Sequence, residues 1–232
     1  MGHFITLEGI EGAGKSTLRA RLADELRQFQ TEIVLTREPG STHLGQAIRS
    51  MVLDPANREL DAIAELMLFQ ADRAQHVREI IRPALARGAI VICDRYVHST
   101  LAYQGYGRGL DLNQLKALNE FTTGKLMPDL VILLDLDPKL GLTRVTRRTR
   151  KASGSFRPEA LLQSVENAQV GDRFEQQSLE FHRAIRNGFL ELARETPERF
   201  AVIDASGETE VVVRDALSAV TNFMSQRSTQ QS

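Results

Sequence analysis

Five short apolar runs, at residues 4–7, 33–36, 89–93, 130–136 and 200–203, alternate along the chain with longer stretches whose apolar residues recur every three or four positions. Runs such as Ala89-Ile-Val-Ile-Cys93 and Leu130-Val-Ile-Leu-Leu134 lack the alternation of a strand with one wet face, so they predict strands covered on both sides. Strand and helix in turn predict an α/β fold: a five-stranded parallel sheet flanked by helices in three layers. The punctuation agrees. Gly88 stops a helix before the third strand, Asp111 with Gln114 resembles a capping box, and Pro138 suits the first turn of the helix after the fourth strand. No stretch is rich enough in Pro, Gly or Ser to act as a linker and no repeat is visible, so residues 1–232 read as one domain.

Sheets of this kind gather ligands at the carboxyl ends of their strands. Three polar clusters fall there: Glu8 to Ser16, Arg37-Glu-Pro-Gly40 and Asp94-Arg-Tyr96. The first carries the most information. Gly9-Ile10-Glu11-Gly12-Ala13-Gly14-Lys15-Ser16 follows an apolar strand and leads into Thr17, Leu18, Leu22, Leu26 and Phe29 at helical spacing. This is a phosphate-binding loop in its required setting. Its glycines let backbone N–H groups turn inward around phosphate oxygens, the helix N-terminus adds partial positive charge, Lys15 reaches the β and γ phosphates, and the Ser16 hydroxyl can ligate Mg²⁺. The pattern points to a nucleoside triphosphate.

Composition narrows the partners. A formal net charge of −1 gives no overall bias toward nucleic acid or an anionic membrane, and 42% hydrophobic residues suffice for a buried core. The longest apolar runs fall far short of the roughly 20 residues that span a bilayer. No secretory signal is visible. The single cysteine, Cys93, sits in an apolar strand and reads as a core thiol in a reducing, cytoplasmic setting. His43, His76, His98 and His182 are not spaced as a metal cluster.

Further constellations carry chemistry. Arg95 emerges beside the phosphate loop, where it could clamp a second phosphate, and Asp94 ends an apolar strand in the manner of a carboxylate that helps hold Mg²⁺, directly or through water. Asp135 is a weaker rival for that role. Between Pro138 and Pro158 the chain has no acidic residue but carries Lys139, Arg144, Arg147, Arg148, Arg150, Lys151 and Arg157. This reads as a basic lid over about 144–171 that stabilises charge and excludes water during phosphoryl transfer, with a solvated face or a nucleic-acid contact as the alternatives. Phe69 and Arg73 share a helix face and could stack on a base and donate to its edge. Ser99-Thr100-Leu-Ala-Tyr103-Gln104-Gly105 reads as a polar loop after the third strand.

With these pieces in order, the chain resembles the thymidylate kinases. The matching stretches are Glu8-Gly-Ile-Glu-Gly-Ala-Gly-Lys-Ser-Thr17, Thr36-Arg-Glu-Pro-Gly40, Phe69-Gln-Ala-Asp-Arg-Ala-Gln-His76, Asp94-Arg-Tyr96, Ser99-Thr-Leu-Ala-Tyr-Gln-Gly105 and Asp172-Arg-Phe-Glu175. The resemblance implies a homodimer that moves the γ-phosphoryl of ATP onto dTMP, with Mg²⁺ bridging the phosphates. It implies that Arg95 holds the dTMP phosphate, that Phe69 stacks on thymine, and that Arg73 and Thr100 bond its edge. By the same resemblance Tyr103 and Gln104 line sugar and base, Tyr103 crowds a 2′-hydroxyl, and Glu11 and Glu175 approach the 3′-hydroxyl or metal. Glu38, Pro39, Leu53, Ser99 and Phe174 complete the expected acceptor site, and Arg144, Arg147 and Arg148 the donor site. No arginine lies inside the phosphate loop, so the lid must supply the catalytic one, with Arg148 the first choice. Residues 151–171 look inserted relative to bacterial relatives. Rival readings are a UMP or CMP kinase and a GTP-operated switch; the latter lacks an Asn-Lys-x-Asp segment, and Asp204-Ala-Ser-Gly207 lies too late in the chain to serve its switch.

Overall fold

The computed structural model describes residues 2–29, 31–152 and 171–230. Five strands, β1 (His3–Glu8), β2 (Ile33–Arg37), β3 (Ile90–Asp94), β4 (Leu130–Asp135) and β5 (Phe200–Asp204), form one wholly parallel sheet in the order β2-β3-β1-β4-β5. The five apolar runs are these five strands.

Alternate residues of β1 and β3 feed different cores. Ile5, Leu7, Ile90 and Ile92 pack with helices α1 (Lys15–Leu26), α8 (Leu179–Glu195) and α9 (Thr209–Gln230). Phe4, Val91 and Cys93 pack on the other face against Val77, Ile81, Ala84, Tyr96 and Val97. Burial on both faces explains the unbroken apolar runs of the central strands β1, β3 and β4, whereas the edge strands β2 and β5 expose Leu35 and Val202; the two layers of helices make three layers in all. Among the described residues no helix is long and apolar enough to cross a membrane.

Two helical segments depart from the expected pattern. Helix α3 (Ala62–His76) runs on through a π-helical stretch, Val77–Ile81, into α4 (Arg82–Ala86). The stretch after β3, expected as a loop, is helix α5 (Val97–Thr100) continued as a π-helix, Leu101–Gly107. Its hydroxyl and amide groups suggested a turn, but distant side chains satisfy them: Ser99 Oγ donates to Glu8 and Arg73 donates to Thr100 Oγ1. The basic stretch begins as helix α7 (Pro138–Ala152), which carries Arg144, Arg147 and Arg148. The rest of the expected lid, including Arg157, lies outside the described residues.

The phosphate loop touches α7 backbone to backbone. A Cβ on Gly12, which has φ 75°, would lie 2.2 Å from the Gly141 carbonyl oxygen, and one on Gly141 would lie 2.5 Å from that of Glu11. Only hydrogen at both positions permits this approach, which fixes the arginine-bearing helix over the loop. Helices α2 (His43–Leu53) and α6 (Leu112–Thr123) pack on either side of α3.

Candidate active site

A cavity of about 560 Å³ opens at the carboxyl edge of the sheet. The α1 N-terminus, with no side-chain cap among the described residues, points its first N–H groups toward it. Glu11, Gly12, Ala13, Gly14, Lys15, Ser16 and Thr17 form one wall. Glu38, Pro39, Leu53, Phe69, Arg73, Asp94, Arg95, Ser99, Thr100, Tyr103, Gln104, Phe174 and Glu175 line the rest of it, together with Arg144 and Arg148. Residues spread through the chain are thus gathered in one cleft. Gly9 and Ile10 do not border it; their carbonyls each accept from Lys15 Nζ at 2.8 Å. Arg147 is exposed and faces elsewhere than the cavity wall.

Burial, and then the nearby Arg95, lowers the Lys15 ammonium to about 8. Beside it, Ser16 Oγ donates to Asp94 Oδ2 at 3.2 Å. Asp135 does not compete for that role: Arg186 grips both of its carboxylate oxygens at 2.6 and 2.8 Å.

Arg95 occupies the left-handed region at φ 72°, a conformation costing a non-glycine residue roughly 1–3 kcal/mol. Several contacts hold it there. Its N–H donates to Leu7 O at 3.0 Å, its Nη1 to Gly9 O and Ser99 Oγ, and its Nη2 to Glu11 Oε1 at 2.9 Å. The guanidinium also lies 4.8 Å from the Tyr103 ring centroid. Tyr103 donates its hydroxyl to Glu11 Oε1, and His182 Nδ1 lies 3.3 Å from Glu11 Oε2. Burial works against ionising Glu11, but Arg95 and His182 outweigh it and hold the carboxyl well below the usual carboxylate range.

Arg73 is almost wholly buried and nearly saturated. It donates to Glu38 Oε2 at 2.8 Å, Thr100 Oγ1 at 2.7 Å, Asn119 Oδ1 at 2.8 Å and the Tyr96 carbonyl at 3.0 Å. Four of its five N–H groups are committed, leaving one for a ligand. Phe69, half-buried, sits 6.0 Å from Phe174, ring centroid to centroid. On α7, Arg148 donates to Glu175 Oε1 at 2.9 Å, while Arg144 donates to the Ala205 and Ser206 carbonyls at 2.9 and 3.1 Å.

The sequence reading missed several contributors. Ala205, Gly207 and Thr209 also line the cavity, and the signal was present, since they follow the carboxyl end of β5. Arg19 and Arg49 add positive charge to the wall beside Arg37, which the sequence places at this edge; Arg49, on α2, donates to Pro39 O at 3.0 Å and no motif marked it. Beneath the surface, Glu8 accepts the Tyr96 N–H at 2.9 Å and the Ser99 hydroxyl at 2.6 Å, and burial pushes its carboxyl up to about 7. Asp72, also buried, accepts the Gly40 N–H at 3.1 Å under the loop after β2.

The arrangement places fixed cations at both ends of one cleft, which suits the joining of two anionic reactants. Comparison with known proteins agrees. The family model described as thymidylate kinase matches residues 7–216. The thymidylate kinase of Desulfovibrio desulfuricans is 50% identical over 224 residues, covering 97% of each chain, and that of Syntrophotalea carbinolica is 49% identical over 212 residues, 91% of this chain and 92% of its own. The crystal structure of thymidylate kinase from Ehrlichia chaffeensis superposes with a TM-score of 0.72 at 31% identity, covering 94% of this chain and 98% of that one.

The Asp72 carboxyl gives the site a pH signature. Burial, then Glu38, raises it from 3.8 to about 6. Between those values the folded chain keeps a proton that the unfolded chain has released, so its contribution to stability is present at the acid end and is lost as pH rises through about 6. Asp72→Asn keeps an acceptor for Gly40 and cannot titrate. Across pH 4 to 7 the parent therefore loses stability relative to this variant by on the order of 2 kcal/mol, measured by urea unfolding; a flat difference would show that Asp72 titrates normally.

Proposed function

The chain belongs to the thymidylate kinase family and phosphorylates dTMP to dTDP with ATP as donor, and we propose that it does so by aligning the two nucleotides head to head across the cavity. The observation that carries this reading is the position of Lys15 and Arg95: both side chains reach the Gly9 carbonyl, one from the donor loop and one from the acceptor turn.

Backbone N–H groups of residues 11–17 and Lys15 hold the β and γ phosphates of ATP, Arg144 lies over its nucleoside end, and Arg148 supplies charge to the transferring group. Arg95 holds the dTMP phosphate. Phe69 stacks on thymine, Arg73 with Thr100 meets its edge, and Tyr103 occupies the space that a ribose 2′-hydroxyl needs. Glu11 and Glu175 face the sugar 3′-hydroxyl, with Glu38, Pro39, Leu53, Ser99, Gln104 and Phe174 completing the pocket. The attacking phosphate oxygen is already ionised near neutral pH, so no strong general base is required, and alignment with charge compensation is the whole of the catalysis.

The donor set suits Mg²⁺. A hydroxyl and a carboxylate, Ser16 and Asp94, converge beside Lys15, and hard oxygen donors are what this ion takes. Ser16 would hold it directly and Asp94 directly or through water; when bound, it neutralises charge on the β and γ phosphates.

We read the chain as one domain that carries a basic lid from Arg144 onward. We also propose a homodimer in the cytoplasm. Leu44 and Met51 on α2, Ile63 and Met67 on α3 and Phe121 on α6 are exposed apolar side chains on three adjoining helices, a face that a second copy would cover. Sedimentation equilibrium should give twice 25.9 kDa, and a single-chain mass at micromolar concentration would dismiss the dimer.

A coupled assay of ADP release with dTMP, dUMP, UMP, CMP and GMP should show the highest kcat/KM with dTMP. Lys15→Ala and Arg95→Ala should each retain less than about a tenth of the parent turnover, the second with a raised KM for dTMP. Activity above that level in either variant contradicts the role given to it.

A further inference from the structure

Glu65 stands in the first turn of α3, fully buried, at the meeting point of three groups from elsewhere in the chain. Its Oε1 accepts from Gln104 Nε2 at 2.7 Å, and its Oε2 accepts from Arg173 at 2.5 Å and from Arg108 Nη2 at 3.1 Å. Arg173 is anchored in turn to the Val52 carbonyl at 2.8 Å, and its backbone N–H donates to Leu53 O at 3.0 Å. The guanidiniums of Arg173 and Arg108 lie 4.7 and 5.8 Å from the ring centroid of Phe174, which borders the cavity. Two guanidiniums and an amide therefore fix the orientation of one carboxylate.

The consequence falls on Gln104. A carboxylate offers acceptors only, so the Gln104 amide must meet Glu65 with its N–H₂ end, and its oxygen is turned the other way. Gln104 borders the cavity at the end lined by Phe69, Arg73 and Thr100. We propose that Glu65 is a positioning residue for base selection: by holding Gln104 Nε2, it leaves Oε1 as the atom offered to the pyrimidine, an acceptor for an N3–H. Thymine and uracil carry that proton; cytosine presents an acceptor at N3 and would face the amide oxygen with nothing shared between them. A buried polar pair without its proton is heavily disfavoured, and this makes an amide orientation into selectivity. The inference rests on the placement of dTMP proposed above.

The test is the ratio of kcat/KM for dTMP to that for dCMP, with ATP as donor, in the parent, Glu65→Gln, Glu65→Asp, Gln104→Leu and the Glu65→Gln/Gln104→Leu double variant, with Tm recorded for each. Glu65→Gln can turn its own N–H₂ toward Gln104 and release the amide to flip, so the ratio should fall at least about tenfold. Gln104→Leu should lower it similarly, the double variant should lower it no further, and Glu65→Asp, still acceptor-only, should keep it. A lower Tm is expected in Glu65→Gln because two buried guanidiniums lose their partner, but loss of stability alone does not move the ratio. An unchanged ratio in folded Glu65→Gln or in Gln104→Leu, or additive losses in the double variant, overturns the proposal while dTMP activity in the parent leaves the acceptor site standing. A parent inactive toward dTMP removes both.

Discussion

Positive charge must be concentrated where two polyanions meet, yet a buried guanidinium without a partner is too costly to keep. The molecule resolves this by tying arginines in and beneath the cleft to carboxylates drawn from other elements, and others, Arg19, Arg49 and Arg144, to backbone carbonyls. Arg95 pairs with Glu11, Arg73 with Glu38, Arg108 and Arg173 with Glu65, and Arg148 with Glu175. The buried pairs among these add little net stability, because desolvation offsets most of the attraction, but breaking one leaves a buried charge that costs about 3–5 kcal/mol; Arg148 is largely exposed and its pair carries no such cost. Their effect is positional: each cation is oriented before a ligand arrives, and little reorganisation remains for the reaction itself.

The backbone makes the same commitment. Arg95 is forced into a left-handed turn at the end of β3, held by Leu7 of the neighbouring strand and, through Ser99, by the deeply buried Glu8. Gly12 and Gly141 let the phosphate loop and the arginine-bearing helix touch without side chains between them. The sheet order places β1 and its loop between β3 and β4, so the phosphate loop and the turn that carries Arg95 leave adjacent strands at the same edge.

Local pattern revealed the parts of the chain whose physics is local. Continuous apolar runs marked β1, β3 and β4 because both faces of these central strands are covered, while the half-exposed edge strands β2 and β5 were legible from their apolar composition alone; the glycines of the phosphate loop announced themselves because close approach to phosphate demands them. The stretch from Ser99 to Gly105 was misread as a loop for the opposite reason. Its polar groups have the composition of a turn, but their partners are Glu8, Glu65 and Arg73, brought in by the tertiary fold. Buried carboxylates such as Glu38 and Glu65, which meet their arginines across 35 and 108 residues of chain, leave no mark at short range. Arg148 and Arg144 were legible as charge but not as neighbours of Glu175 and of the segment after β5.

The most direct test of a preorganised cleft is a crystal structure of the chain with dTMP and a non-hydrolysable ATP analogue bound together. The account requires that the Arg73–Glu38 pair and the Arg108–Glu65–Arg173 cluster stay within about 1 Å of their present positions, with the acceptor phosphate at Arg95 facing the donor terminus. Arginines that leave their carboxylates by more than about 2 Å to reach the ligands would mean that binding builds the site, and would contradict it.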